Sequence, residues 1–600
     1  MNALPSLRRL ARLARVLFFD GFRAAPGWML VVTSMLILGS VASTCFPLGY
    51  RLLVDGALDH NDAQIASGVI VVGVLMSLGW VLLAVGASEA MALSDRISLY
   101  RTSQLITLIS DVPGLAHLER PGYLSEVERL NANRRQLAAA PRQLLSNIAN
   151  AARIITLMVL LGSVSPWLLL LPISAVPPLI ADRVAKRVTK RAENDMAATT
   201  RLATMIFGLT SDVAASAEIR SYGLSSYLTA EHERLREEVN RRSRREAWTV
   251  LGLQSVGWLT YSALLMGAVA FVVVRATDGA ISLGTVLMSI SLIRRSRNQL
   301  ASAASSSSAM FSTLATADRL FWLQDYAAEQ QAAAGVADPP ERLCEGIELR
   351  NVRFRYPGAD HMVLEDFTAR LPAGTTVALV GENGSGKTTV IKLLLGMYEP
   401  DDGAVLVDGR PLTELSPGRW RERTSAAFQD FSRFHLPAVE SIGVADLPNL
   451  ADEPMAMTAL SRAGAQGLAD QLPQGLATVL GTSYTGGHGL SGGQWQKLAL
   501  GRAMRRAEPL LIVLDEPTAS LDAQAEHALF ERYAEQAAAA GEESGAITVL
   551  VSHRFSTVRA ADLIIYLEAG HAAEIGSHEE LLARRGKYAE LYELQAAGYR

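Results

Sequence analysis

Residues 381–388 read Gly-Glu-Asn-Gly-Ser-Gly-Lys-Thr. The spacing Gly381-x4-Gly386-Lys387-Thr388 is that of a loop that cradles phosphate. Gly384 and Gly386 let the backbone turn so that successive N–H groups, including those of Asn383 and Ser385, face phosphate oxygens. Lys387 supplies a full positive charge, and the Thr388 hydroxyl is suited to ligate Mg²⁺, with Thr389 directly behind it. Residues 377–380 (Val-Ala-Leu-Val) read as a buried parallel strand before the turn, and a helix is expected from Thr388 onward. Its N-terminus adds partial positive charge at the same spot. A plain glycine turn would need neither Lys387 nor Thr388.

A second element of the same chemistry lies far downstream. Residues 510–514 form a continuous apolar strand that ends in Asp515-Glu516. Asp515 suits the Mg²⁺ shell, since hard cations take oxygen ligands. Glu516, one residue on, is placed to accept a proton from an attacking water. Taken alone, two carboxylates there are an exposed strand end. After a phosphate loop they read as a nucleotide-triphosphate hydrolase.

These residues must be held by an α/β layer. From residue 347 short strands (347–356, 404–409, 509–517, 546–553 and 562–567) alternate with helical patterns. The preceding half is different in kind. Mean hydropathy over the 600 residues is +0.18. Uncharged runs at 27–50, 64–88, 154–181 (extended back to about 143 and divided at Ser165-Pro166), 247–274 and 279–293 read as six membrane spans. The net charge of −4 implies no nucleic-acid partner, and two cysteines give no disulfide framework. The first apolar run is too long for a cleaved signal peptide.

Arginines orient the spans. Arg134, Arg135, Arg142, Arg183, Arg187, Arg191 and Arg241 mark the loops after spans two and four as cytoplasmic. Both termini are then expected inside, with residues 1–26 as an arginine-bearing amphipathic segment on the inner surface. The loops hold about 50 and about 65 polar residues with helical periodicity, so the spanning helices are expected to continue far beyond the bilayer. The sixth span reaches only about 22 Å against a core of roughly 30 Å. Arg294, Arg295 and Arg297 therefore fall near the inner leaflet, either snorkelling at its edge or lining a water-filled cargo cavity. Domains are expected at 27–320 (membrane), 321–346 (linker) and 347–600 (nucleotide-binding).

With those motifs in order, the chain resembles the ATP-binding cassette family. Leu490-Ser491-Gly492-Gly493-Gln494 matches the family signature. The resemblance implies that this segment binds the γ-phosphate of ATP held by the opposite cassette, so that two subunits sandwich two ATP molecules. It further implies that Ser520-Leu521-Asp522 contacts the partner, that Gln429 reaches Mg²⁺, that His553 contacts the γ-phosphate and that Tyr356, 25 residues before Gly381, stacks on adenine. Six spans and then one cassette is the layout of exporter half-transporters. The implied fold is a six-helix transmembrane domain followed by an α/β P-loop domain, working as a homodimer or heterodimer in a bacterial plasma membrane, with ATP and Mg²⁺. Residues 116–131 and 217–228 look like the coupling helices of such exporters, with Tyr123, Glu218 and Tyr222 as expected cassette contacts.

One departure stands out: residues 481–489 carry Thr485 where the family usually has Glu. That variant, the run FQDFSRFHL after Ala427 and Trp495 are similar to nisin-exporter-like lanthipeptide exporters. The expected cargo is therefore a peptide or peptide-like molecule. No Cys/His protease segment precedes the first span, so a leader is expected to be removed elsewhere. A multidrug or lipid flippase, or a siderophore importer on the same scaffold, is the alternative. Six spans speak against a cassette ATPase of DNA repair or translation.

Overall fold

The computed structural model describes residues 26–516 except 483 and 485, then 541–552 and 558–598. The described chain forms two compact units.

The first unit is all helix and comprises the described residues up to Ile106 and Leu130–Phe321. Its elements are α1 (Pro26–Cys45), α2 (Pro47–Leu58), α3 (Asp62–Ser110), then, after α4 (Pro121–Ala132), α5 (Arg134–Ala138), α6 (Ala140–Val164), α7 (Val176–Leu209), α8 (Val213–Ser221), α9 (Ser225–Thr277) and α10 (Leu283–Ala333). The expected division at Ser165-Pro166 holds. Ser165 is extended and ends α6, and a 3₁₀ turn over Pro166–Ala175 leads into α7. Pro47 breaks the first span, because its ring removes the donor that would continue α1 into α2.

α7 and α9 pack along each other, as do α1 and α6. A buried apolar cluster of Leu157, Leu161, Leu171, Val272, Leu292 and Ile293 ties α6, α9 and α10 together. Many other large apolar side chains face outward, such as Trp80, Trp167 and Leu259. Helices apolar all round are stable only against lipid or a partner, since lipid is where such a surface is not penalised. Among the described residues, five helical stretches are long and apolar enough to cross a membrane by length and composition: Pro26–Leu58, Asp62–Ser110, Ala140–Val164, Pro166–Glu193 and Ser225–Thr277. α10 runs unbroken for 51 residues, but its apolar part is short, as its sequence indicates.

The second unit comprises Thr107–Arg129 and the described residues from Trp322 on. Its six-stranded sheet has the order β11-β10-β3-β9-β8-β6. β3 (Thr376–Gly381), β6 (Thr424–Ala427), β8 (Leu511–Asp515), β9 (Ile547–Val551) and β10 (Leu563–Glu568) run parallel, and β11 (His571–Gly576) is the antiparallel edge. A four-stranded antiparallel sheet, β2-β1-β4-β5, is built from β1 (Gly346–Phe354), β2 (Leu364–Pro372), β4 (Asp402–Val407) and β5 (Arg410–Pro411). β7 (Pro473–Leu476) is a short strand apart from both. Leu349, Phe367, Val377, Leu379, Val513, Val549 and Ile565 share one buried core between the sheets and α11 (Lys387–Leu394). The continuous apolar runs of β3, β8 and β9 follow from burial on both faces of a parallel sheet. Every carboxyl end of these strands points the same way, which gathers the site at one edge.

Candidate nucleotide site and membrane arginines

The loop between β3 and α11 is a wide turn at which three glycines have positive φ: Gly381 at 154°, Gly384 at 85° and Gly386 at 107°. A Cβ on Gly381 would lie 2.3 Å from the Leu567 carbonyl oxygen, so that position admits only glycine. α11 starts at Lys387, one residue earlier than its sequence suggests, because Gly386 takes the left-handed N-cap position.

Lys387 is buried, and its Nζ donates to the carbonyls of Gly381 (2.9 Å) and Glu382 (2.8 Å). Burial lowers its pKa, against the opposing pull of Glu516 and Asp515. The Ser385 hydroxyl is buried and has no partner among the described residues. An orphaned donor in a loop that also holds a buried ammonium marks a place where anionic oxygens complete the hydrogen bonding. Asn383 and Thr388 are exposed on the rim, and Thr389 is buried.

Asp515 closes β8 and is 4% exposed. Thr388 Oγ1 donates to its Oδ2 across 3.4 Å. Burial, then the neighbouring Glu516 carboxylate, pushes its pKa up to about 6. The Thr388 hydroxyl and the Asp515 carboxylate together offer the oxygen donors that a Mg²⁺ ion takes. Glu516 follows at φ 47°, with its N–H held by the Val551 carbonyl (3.0 Å). A left-handed glutamate is strained, and such strain clusters at working sites. Register places Ala427 of β6 beside Leu514, so exposed Gln429, two residues past β6, stands at the sheet edge that carries Asp515.

Tyr356 lies beyond β1, half-buried, with its hydroxyl on Thr389 Oγ1 (3.0 Å) and its ring edge-on to Phe354 and Tyr398. Lys392 Nζ sits 5.1 Å from its ring centroid. Ser491 is the N-cap of α12 (Gly492–Ala503) in a reciprocal box: its hydroxyl accepts the Gln494 N–H and the Gln494 side chain accepts the Ser491 N–H. Ser491 and Gly492 are exposed. His553, Asp522, Ser520, Leu521, Thr485 and residues 1–25 lie outside the described residues.

The two stretches read as coupling helices behave differently from each other. In the first, the ring contacts of Tyr123 among the described residues are with its own segment and with α10, whereas the sequence points to a cassette contact. Tyr123 is buried in an aromatic group with His117, Trp322 and Tyr326. Glu119 and Leu115 make the cassette contacts instead: Tyr398 Oη donates to Glu119 Oε1, and Leu115 N–H donates to the Met397 carbonyl. In the second, Glu218 and Tyr222 are exposed.

Within the helical unit, two arginines converge on the α1–α2 break. Arg295 donates to the Ser43 carbonyl and covers the Phe46 ring at 4.2 Å. Arg153 of α6 donates from Nη2 to Ser40 Oγ (3.2 Å), while its buried Nε has no partner among the described residues. Arg294 is exposed, and the side chain of Arg297 lies outside the described set. Arg153, at the edge of the uncharged run that begins at residue 154, is a sign of a functional site that the sequence itself offers.

Known proteins share this organisation. Residues 137–296 match the ABC transporter transmembrane region and residues 364–519 the ABC transporter family. The ATP-dependent lipid A-core flippases of Escherichia coli (strain K12) and Shigella flexneri are each 27% identical over 581 residues, covering 94% of this chain and 95% of theirs. The solved structure of a bacterial Atm1-family ABC exporter with ATP bound has a TM-score of 0.73 at 21% identity, covering 96% of this chain and 98% of that one. That likeness carries the fold. The two matched regions together span just over half of the chain, and with the transmembrane region and then the ATPase domain on one polypeptide the chain belongs to the ABC transporter family.

Proposed function

We propose that two copies of this chain form an ATP-driven exporter that moves an amphiphile bearing acidic groups out of the inner leaflet of a bacterial membrane. Both termini are then cytoplasmic, in line with the arginine-rich loops. The observation that carries the cargo class is the pair of half-buried arginines, Arg153 and Arg295, that converge on the break in the first apolar span. Charges at such depth mark a pathway. The Arg153 Nε, buried without a partner among the described residues, is a donor suited to an acidic oxygen. Relatives named as lipid A-core flippases favour a lipid-like cargo. A peptide is the second reading, favoured by the FQDFSRFHL run and by Trp495, which packs against His435.

ATP sits with its phosphates on the loop 381–389 and its adenine on Tyr356. Ser491, Gly492, Gly493, Gln494 and Asp522 of one subunit complete the site of the other. Mg²⁺, held by Thr388 and Asp515 with Gln429 at the edge, would neutralise charge on the phosphates. Glu516 takes the proton from water, and His553 contacts the γ-phosphate. The same site on both copies makes two competent sites in a homodimer. ATP drives the switch only as far as it binds the closed pair better than the open one.

The test is ATPase activity in lipid nanodiscs, titrated with a phosphorylated glycolipid, a leader-bearing modified peptide and an uncharged drug panel, with Glu516→Gln as blank. Saturable stimulation by the glycolipid, lost in Arg153→Gln, supports the reading. Stimulation by the peptide alone moves it to the second, and stimulation only by uncharged drugs overturns the acidic cargo.

A further inference from the structure

The phosphate end of the site is joined to the strands that carry Asp515 and Gln429. The opposite end, around Tyr356, is joined to something else. Tyr356 bonds Thr389 Oγ1 in α11 and lies edge-on to Tyr398, with ring centroids 5.4 Å apart and planes at 84°. Lys392 Nζ sits near both rings, at 5.1 and 5.8 Å. Tyr398 in turn donates its hydroxyl to the Glu119 carboxylate, 279 residues away in sequence. A phenol on an ionised acceptor makes one of the stronger classes of hydrogen bond. Burial and this bond both raise the Tyr398 pKa, so the phenol keeps its proton.

Glu119 does not stand alone. Leu115 N–H donates to the Met397 carbonyl (2.8 Å), one residue before Tyr398. Gly114 has φ 74°, and a Cβ there would lie 2.9 Å from the same carbonyl. The segment is thus fixed to the turn after α11 at residues 114–119. From the same stretch His117 packs against Tyr326, and a few residues on Tyr123 packs against Trp322 and Tyr326, near the C-terminal end of α10. A cavity of about 970 Å³ lies beside these anchors, with Pro113, Arg120, Gln330, Tyr356 and Tyr398 on its walls. Between these anchors the segment borders open space.

We propose that Tyr398 and Glu119 are positioning residues that link the adenine-side tyrosine, Tyr356, to the segment 111–123, so that nucleotide occupancy itself, before hydrolysis, is passed to the end of the last long helix. The inference rests on the proposed adenine role of Tyr356. A purine ring settling on Tyr356 must press on the two groups that back it, Phe354 and Tyr398. Phe354 is held within strand β1 by its pairing with Leu364 of β2, whereas Tyr398 sits in the turn after α11, so displacement goes to Tyr398, whose hydroxyl carries it to Glu119. A line of this kind is a claim of coupling, and needs a coupling measurement rather than proximity.

The experiment is hydrogen exchange on the full chain in nanodiscs, with and without Mg²⁺-ATP, in a Glu516→Gln background that suppresses turnover. In that background ATP is expected to slow exchange both at 381–394 and at 111–123. Tyr398→Phe keeps the ring packing and loses only the hydroxyl. Glu119→Gln keeps an acceptor oxygen and loses the charge. Both are expected to keep the ATP effect at 381–394 and to lose it at 111–123, an about fivefold or larger loss of coupling. ATP protection at 111–123 equal to that of the parent in both variants overturns the link, as does a parent in which ATP leaves 111–123 unchanged. Tyr356→Leu separates the two readings. Unchanged ATP affinity there overturns the adenine assignment itself, whereas weakened affinity with normal behaviour of Tyr398→Phe overturns only the link.

Discussion

Arg295 completes a helix that Pro47 interrupts. In a continuous helix the Ser43 carbonyl would accept from the N–H of residue 47, and proline has none. The Arg295 guanidinium, arriving from α10, donates to that carbonyl and stacks on Phe46 next to it. Its side chain therefore turns toward α1 and does not simply snorkel along its own helix. One residue both closes the backbone bonding of the first span and brings a cation to the inside of the bundle.

The pair predicts non-additive stability. Arg295→Gln leaves a carbonyl in an apolar unit without its donor, at a cost of about 1–3 kcal/mol. Pro47→Ala restores the backbone N–H, so in that background Arg295→Gln should cost clearly less. Thermal unfolding of the four proteins in nanodiscs measures the cycle. Equal costs in both backgrounds would mean that Ser43 does not depend on Arg295.

The glycines of the phosphate loop separate space from conformation. Gly381→Ala brings a Cβ to 2.3 Å from the Leu567 carbonyl oxygen, whereas Gly384→Ala meets nothing within 4 Å and is burdened only by φ 85°. The first is expected to destabilise by about 1–3 kcal/mol through overpacking, and the second by about 1–2 kcal/mol. Both should weaken ATP binding, but only Gly381→Ala should also disturb β10, which pairs Leu567 with Gly381. Hydrogen exchange at 563–568 tells them apart.

The parts of the chain that were legible from sequence are those where one short stretch contains its own reason. Residues 377–388 hold a strand, a turn and a cation in a row, and Ser165-Pro166 holds a helix stop. Tyr398 and Glu119 have no such local sign, because a turn tyrosine and a loop glutamate acquire meaning only when folding joins them. Tyr123 was readable as an aromatic near a coupling segment, but not as one that turns inward to His117 and Tyr326. Arg295 was legible as a charge near the membrane edge. Its partner was not, since the missing donor belongs to Pro47, 248 positions earlier.

His117 gives a pH dependence. It is 3% exposed between Tyr123 and Tyr326, and burial, then nearby Arg120, lowers its pKa below the ordinary value of 6.5. A lowered folded-state pKa means that the contribution of this aromatic group is present above about pH 6.5 and is lost as pH falls through the folded-state value. Going from pH 7.5 to 5.5, the thermal midpoint of the wild type should drop more than that of His117→Phe. Parallel pH profiles for the two would show that the ring is already neutral by other means or does not hold the segment.

Asp515 gives a second, with a different origin and a sign of its own. Its pKa is raised to about 6, first by burial and then by Glu516. Without a cation the fold favours the protonated acid, so its stabilising share is present below the ordinary aspartate value and is lost as pH rises through about 6. A divalent cation reverses that preference, because only the carboxylate ligates it. The Mg²⁺-dependent part of nucleotide affinity should therefore fall as pH goes from 7.5 to 5.5, beyond what the phosphates of ATP account for by their own titration. Calorimetric binding of ADP with and without Mg²⁺, in wild type and in Asp515→Asn, isolates the residue. The variant, which has no acid to titrate, should show a small Mg²⁺ increment that is flat with pH, and its Mg²⁺-free affinity should match or exceed wild type once a buried negative charge is gone. A full, pH-sensitive Mg²⁺ increment in Asp515→Asn would place the cation on other oxygens and leave Thr388 without its partner in the site.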